Sequence, residues 1–343
     1  VKQRIVTFGE IMLRLKSPGR ERLFQSSMLE AVFGGGEANV AVGLSRLGFE
    51  SCFVSALPDN EIGDACLGEL RRHGVKTDFI IRSGERMGIY FLEAGANQRP
   101  SKVMYDRAGS SFSTLTPGKI DWDSVFKNTS WFHITGITPA VSESAAETAL
   151  EALEKAREQG VAISCDLNFR AKLWKYGKSA TEVMSEIVKL ADVVVGNEED
   201  CQKSLGIAGP AEMKGGKPDP AGYRELTDNV MEAFPNIRKI AVTMRESISA
   251  DHNNWSALLN DGRDFFISPS YSITDIVDRV GAGDSFACGL IYGLNTFDND
   301  TEALDFAVAL SCLKHSIPGD FPLITKDEVI ALMRGDTSGR VQR

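Results

Sequence analysis

The chain has 343 residues, 43% of them hydrophobic and 25% charged, which is enough apolar material for one large core. A formal net charge of −9 lacks the basic excess that a nucleic-acid backbone partner requires, while leaving room for a locally positive pocket and a small anionic substrate. No apolar run has membrane-spanning length and the N-terminus runs straight into a strand-like segment, so a cytoplasmic location with no membrane partner is expected.

In chain order, residues 5–8 read as a buried strand. Ile11, Leu13 and Leu15 then alternate with Met12 and Arg14, as in a half-exposed strand. Residues 88–93 and 102–107 are strand-like and flank the polar turn 95–101, a hairpin signal. Together these segments, about 10–34 and 86–112, are expected to form a small β lid standing off the main body of one domain spanning 1–343. From residue 130 onward, short apolar runs at 131–134, 161–165, 193–195 and 240–243 alternate with helical spacing, as in Ala145, Ala149, Leu150, Leu153 and Ala156. Such alternation implies crossover units and a mostly parallel sheet covered on both faces. Residues 208–222, rich in Gly, Pro and Lys, read as an exposed loop, and residues 285–294 and 302–315 as helices. The six cysteines lie in apolar runs with no C-x-x-C spacing, and four histidines form no H-E-x-x-H pair. A reduced compartment and no zinc site are expected.

Two glycine-rich motifs carry the chemistry. Asp278-Arg279-Val280-Gly281-Ala282-Gly283-Asp284 leads into an apolar helix. A glycine turn opening a helix offers free N–H groups and the positive end of the helix dipole to a phosphate. A carboxylate at that mouth repels phosphate but suits a base accepting a proton from an attacking hydroxyl. Asp284 would be that base, with the amides of Gly281, Ala282 and Gly283 holding charge on the transferred group. The same pattern also fits a plain strand-to-helix turn with a capping aspartate. In Gly34-Gly35-Gly36-Glu37-Ala38-Asn39, the glycines permit close approach of backbone to a ligand. Asn39 stands at the helix entry, either toward a sugar hydroxyl or buried for structural reasons. No P-loop and no G-x-G-x-x-G after the first strand is present, which disfavours P-loop kinases and dinucleotide enzymes.

The two motifs, in this order and at this distance, resemble the two signatures of the ribokinase-like carbohydrate kinases. The resemblance runs from Thr7-Phe8-Gly9-Glu10 to the segment ending Pro318-Gly319-Asp320. It implies a three-layer αβα sandwich with a mostly parallel sheet and a small β lid, the use of ATP and Mg²⁺, and a homodimer through the lid. Some relatives hold a monovalent cation near the loop before Gly281, and the residues here leave that open. The nucleotide half departs from the family pattern. Asn197-Glu198-Glu199-Asp200 stands where Asn-x-x-Glu is usual, giving Asn197 a nucleotide role and Asp200 an indirect one at the metal. Thr243-Met244-Arg245 stands where Thr-x-Gly is usual, so Arg245 either reaches a phosphate or reshapes the following loop.

Further segments resemble one branch, the 2-keto-3-deoxygluconate kinases. On that resemblance Gly35, Tyr90, Tyr105, Arg107, Arg170 and Asp320 join Asn39 in the sugar-acid site. Residue chemistry agrees, since arginine suits a planar carboxylate and tyrosine suits a sugar with few hydroxyls. The expected reaction is ATP-dependent phosphorylation of the C6 hydroxyl of 2-keto-3-deoxygluconate. A kinase for a neutral sugar such as fructose or ribose, one for the galactonate epimer, and a non-catalytic sugar or nucleotide sensor are the rivals.

Overall fold

The computed structural model describes residues 4–209 and 219–336. It opens with β1 (Arg4–Phe8), β2 (Met12–Lys16) and β3 (Glu30–Gly34), and the first glycine run starts α1 (Gly36–Arg46). β4 (Glu50–Leu57), α2 (Glu61–Arg72), β5 (Ile80–Arg82), β6 (Ile89–Glu93) and β7 (Lys102–Asp106) follow. The middle holds α3 (Trp122–Phe126), β8 (Thr129–Thr135), α4 (Ile137–Ala140), α5 (Glu143–Glu158), β9 (Ala162–Asp166), α6 (Ala180–Val188), β10 (Val193–Gly196) and α7 (Glu198–Leu205). The last part holds α8 (Pro220–Ala233), β11 (Lys239–Ser247), β12 (His252–Asn260), β13 (Phe265–Ile267) and β14 (Tyr271–Thr274). It closes with α9 (Ala282–Thr296), α10 (Asp300–Lys314) and α11 (Lys326–Met333).

The continuous apolar runs assemble one ten-stranded sheet in the order β13-β12-β11-β10-β9-β8-β1-β4-β5, with β14 pairing β12. Every neighbouring pair from β11 through β5 is parallel, and the β12 pairings are antiparallel. Parallel neighbours need helical crossovers, and these cover both faces. Strand side chains alternate between two cores. Phe132, Cys165 and Val194 face α5 and α6, while Trp131, Val193 and Val195 face the α9 and α10 side. Phe8 and Phe132 are fully buried, each contributing about 3 kcal/mol by removal from water. The strand order reverses at β1, which has β4 on one side and β8 on the other. Ligands collect beyond the carboxyl ends of the strands at such a switch.

The remaining strands form a separate sheet in the order β3-β2-β6-β7. The hairpin expected at 88–107 is there, with Tyr90 opposite Tyr105. The reading of β2 is reversed in one respect. Arg14 is 1% exposed, whereas Leu13 and Leu15 are half-buried. Two buried carboxylates draw the arginine inward, and the leucine face of the lid is only partly covered, Leu13 and Phe33 packing against the cluster of Ile11, Phe53 and Phe321. The loop expected at 208–222 is corrected at its end: Asp219 caps α8, which takes Pro220 at its first position, and residues 210–218 lie outside the described residues.

Candidate active site

A cleft of about 490 Å³ opens at the carboxyl ends of β8 to β11, roofed by the lid. It is lined by every residue expected at a site except Arg107.

Its floor is the turn that opens α9. Gly281 has φ +83°, and a Cβ there would stand 2.1 Å from the Asp320 carbonyl oxygen, so the position demands glycine on two grounds. Ser285 makes the first helical bond, its N–H donating to the Gly281 carbonyl at 2.8 Å. The Ala282 N–H is turned back to the Arg279 carbonyl at 3.3 Å, which corrects its expected place among the free donors. The amides of Gly281 and Gly283 have no partner among the described residues and remain open to an anion.

Asp284 lies on the first turn of that helix, partly open to the cleft. Asn39 Nδ2 donates to its Oδ2 at 2.6 Å. Burial pushes the Asp284 carboxyl up to about 6; the Asn39 hydrogen bond and the Arg170 charge work against the rise, and Asp320 adds to it. A carboxylate with this affinity for a proton is poised as a base near neutral pH. The Asn39 side chain is thus committed first to the aspartate: its Oδ1 accepts the Gly35 N–H at 3.3 Å, fixing the glycine loop to the helix entry.

The lid side of the cleft carries Met12, Tyr90, Val103 and Tyr105 above Gly34, Gly35 and Asp320. Tyr90 donates its hydroxyl proton to Asp320 Oδ2 at 2.5 Å, and Arg14 Nη1 donates to Oδ1 at 2.6 Å. A Cβ on Gly34 would fall 2.1 Å from Asp320 Oδ2, so glycine there lets the carboxylate close against the loop. Burial raises the Asp320 pKa, with Arg14 opposing. A carboxylate cannot bind a substrate carboxylate, so Asp320 suits a hydroxyl. Arg107 is elsewhere: its Nε donates to Glu10 Oε2 at 2.7 Å, and both side chains are buried. Arg107, expected at the sugar-acid site, is therefore held by Glu10 and does not line the cleft in this structure. Arg170 is exposed in the cleft, bonded through Nη1 to its neighbour's carbonyl at 2.8 Å, and forms no ion pair among the described residues.

At the other end, Asn197 and Asp200 cap α7 reciprocally, and the second Asp200 oxygen accepts the Phe169 N–H at 2.8 Å. Asp200 therefore holds two backbone segments together. Thr243, Arg245, Trp255, Arg279 and His315 complete that end. Arg245 and Arg279 give it the positive charge a polyphosphate needs. Arg279 received no role from sequence, although it sits inside the anion motif.

Asp166 and Asn168 received no role from sequence, although they precede Arg170 in an Asp-x-Asn-x-Arg run. Asn168 has φ +34° and a buried Oδ1 without a partner, and both side chains border the cleft. Burial, together with the charges of Asp200 and Asp284, raises the Asp166 pKa well above the usual carboxylate range. These hard oxygens fit a hydrated Mg²⁺. Among the described residues no three acidic, histidine or cysteine side chains converge to hold a metal by themselves, so such an ion would keep water and phosphate ligands.

Comparison with known proteins gives a consistent picture. Residues 2–320 match the model of the pfkB family carbohydrate kinases. The crystal structure of a 2-dehydro-3-deoxygluconokinase from Thermotoga maritima is 46% identical, with a TM-score of 0.91 over 97% of this chain and 100% of that one. A 2-dehydro-3-deoxygalactonokinase from Haloferax volcanii is 34% identical over 98% of both chains. A 2-dehydro-3-deoxygluconokinase from Bacillus subtilis is 28% identical over 95% of this chain and 94% of that protein.

Proposed function

The chain belongs to the pfkB family of carbohydrate kinases, and from that membership we propose that it phosphorylates the C6 hydroxyl of 2-keto-3-deoxygluconate with ATP in the cytoplasm. The observation that carries the reaction is the placement of Asp284, whose carboxyl is pushed up to about 6 by burial, beside the open amides of Gly281 and Gly283. Asp284 accepts the hydroxyl proton as O6 forms its bond to the γ-phosphorus. The bond from that phosphorus to the bridging oxygen breaks and ADP leaves. The two amides hold the charge on the moving phosphoryl group. Arg170 faces the sugar carboxylate, Tyr90 and Tyr105 pack on the deoxy carbons, and Asp320 orients a hydroxyl. Arg245, Arg279, Asn197 and Thr243 hold the nucleotide. Mg²⁺, when bound, would supply charge neutralisation on the phosphates, and Asp166 and Asn168 are the residues that would border it.

The lid bears a second apolar face. Leu13 and Leu15 align with Phe33 and Ala31 on one side and with Ile89 and Phe91 on the other, and Met104, opposite Phe91, is 50% exposed. A sheet apolar on both sides needs a cover, and a second lid fits it.

The test is ATP-dependent phosphorylation by the purified protein, comparing 2-keto-3-deoxygluconate, its galactonate epimer, fructose and ribose. Preference for the keto-deoxy acids supports the assignment, and turnover of a neutral sugar alone overturns it. The galactonate epimer is a second reading, favoured by the 34% identical Haloferax volcanii relative.

A further inference from the structure

Arg14 belongs to the lid by its backbone and to the anion turn by its side chain. It is 1% exposed and does not border the cleft, so it cannot touch either substrate. Its two terminal nitrogens bind carboxylates from separate segments of the main body. Nη2 pairs with Asp278, just before the anion turn, and Nη1 with Asp320, beyond α10. Burial works against the charge, but Asp320 and Asp278 outweigh it and hold the guanidinium firmly protonated.

Each carboxylate passes the contact on. Asp278 Oδ1 accepts the Val280 N–H at 3.1 Å, and its Oδ2 accepts the Gly319 N–H at 3.2 Å. The Val280 side chain packs with Met12, Tyr90 and Leu92 on the underside of the lid. Asp320 meets Tyr90 through its carboxylate and presses on Gly281 through its carbonyl. Lys314, fully buried and donating to the Ile317 carbonyl at 3.0 Å, adds a second positive charge nearby and balances the two carboxylates. Separating a buried pair of this kind costs several kcal/mol, so the lid strand and the turn are constrained to move together.

We propose that Arg14 is a positioning residue that couples the seating of the lid over the sugar to the geometry of the 281–284 turn, so that sugar and ATP bind cooperatively. The inference rests on the kinase reading above. The element that would move is the lid, a sheet separate from the main one, and both ligands would bias it: the sugar through Tyr90 and Tyr105, the nucleotide through the turn that Arg14 grips.

The experiment is calorimetric binding of a non-hydrolysable ATP analogue with Mg²⁺, with and without saturating sugar. It compares the wild type, Arg14→Lys, which keeps the charge but cannot span both carboxylates, and the charge-balanced double variant Arg14→Met/Asp278→Asn. The sugar is whichever one the wild type phosphorylates, so a failure of the keto-deoxy acid overturns the substrate assignment and leaves this measurement intact. In the wild type the sugar should tighten analogue binding at least about fivefold, and in the variants less than about twofold, with sugar-free affinity nearly unchanged. A merely structural salt bridge would lower the melting temperature and leave the ratio intact. An unaltered ratio in either folded variant, or no cooperativity in the wild type, overturns the proposal. Arg14→Lys decides alone if the double variant does not fold.

Discussion

Replacing Asp284 by Asn should produce a protein that is more stable and nearly inactive. The folded state holds this carboxyl at about 6 against 3.8 for an unperturbed aspartate. Between those values the folded state binds the extra proton, so stability falls as pH rises and the full cost is present above pH 6. The difference corresponds to about 3 kcal/mol at neutral pH. Asparagine removes that cost, and its carbonyl can still accept the Asn39 Nδ2 proton. For a chain of this length the gain is worth about 4 °C in melting temperature as an upper limit. The gain should be present at pH 7.5 and vanish at pH 4, which differential scanning calorimetry at the two pH values measures. Turnover in a coupled assay should fall by roughly 10²- to 10⁴-fold, the range of a lost general base. Turnover within tenfold of wild type would refute the role of Asp284. A stability difference equal at both pH values would refute its elevated pKa.

Arg170→Ala should raise the KM for the sugar acid by about tenfold to a hundredfold and leave that for ATP within twofold, as expected for a lost charge-assisted contact; steady-state kinetics with each substrate varied checks it. Arg107→Ala should act through stability instead, costing about 3–5 kcal/mol in denaturant unfolding by stranding buried Glu10, with no selective change in sugar KM. In wild type, activity measured as kcat/KM should fall as pH drops through about 6, where Asp284 gains its proton, and a profile flat down to pH 4.5 would contradict that. Met104→Lys, at an exposed lid position, should convert a dimer to a monomer in light scattering without loss of melting temperature.

Much of the site was legible because its signals are local. Gly281 must be glycine for its own φ and for the carbonyl beside it, and Asp284 follows on the first helical turn. The apolar runs at 131–134, 161–165 and 193–195 each became a strand of the main sheet because continuous burial on two faces is written in consecutive residues. The capping pair Asn197 and Asp200 likewise spans one turn, although its use as a brace for Phe169 did not show in the spacing.

The arginines mark the boundary between what chain order and composition determine and what tertiary structure decides. As residue types Arg14, Arg107 and Arg170 are equivalent, and sequence assigned carboxylate binding to the second and third and placed the first in a half-exposed strand without a role. Arg14 is instead buried by carboxylates, one of them 306 positions away, while Arg107 is taken by Glu10, 97 positions away. Which charge each guanidinium meets depends on where the lid folds back on the sheet, and buried charges are settled by their partners, not by their own periodicity. The sequence by itself therefore determined the main elements and the glycine turns, and it singled out Asp284 as the proposed base. The tertiary structure decided which arginine is free for substrate and which one ties the lid to the turn.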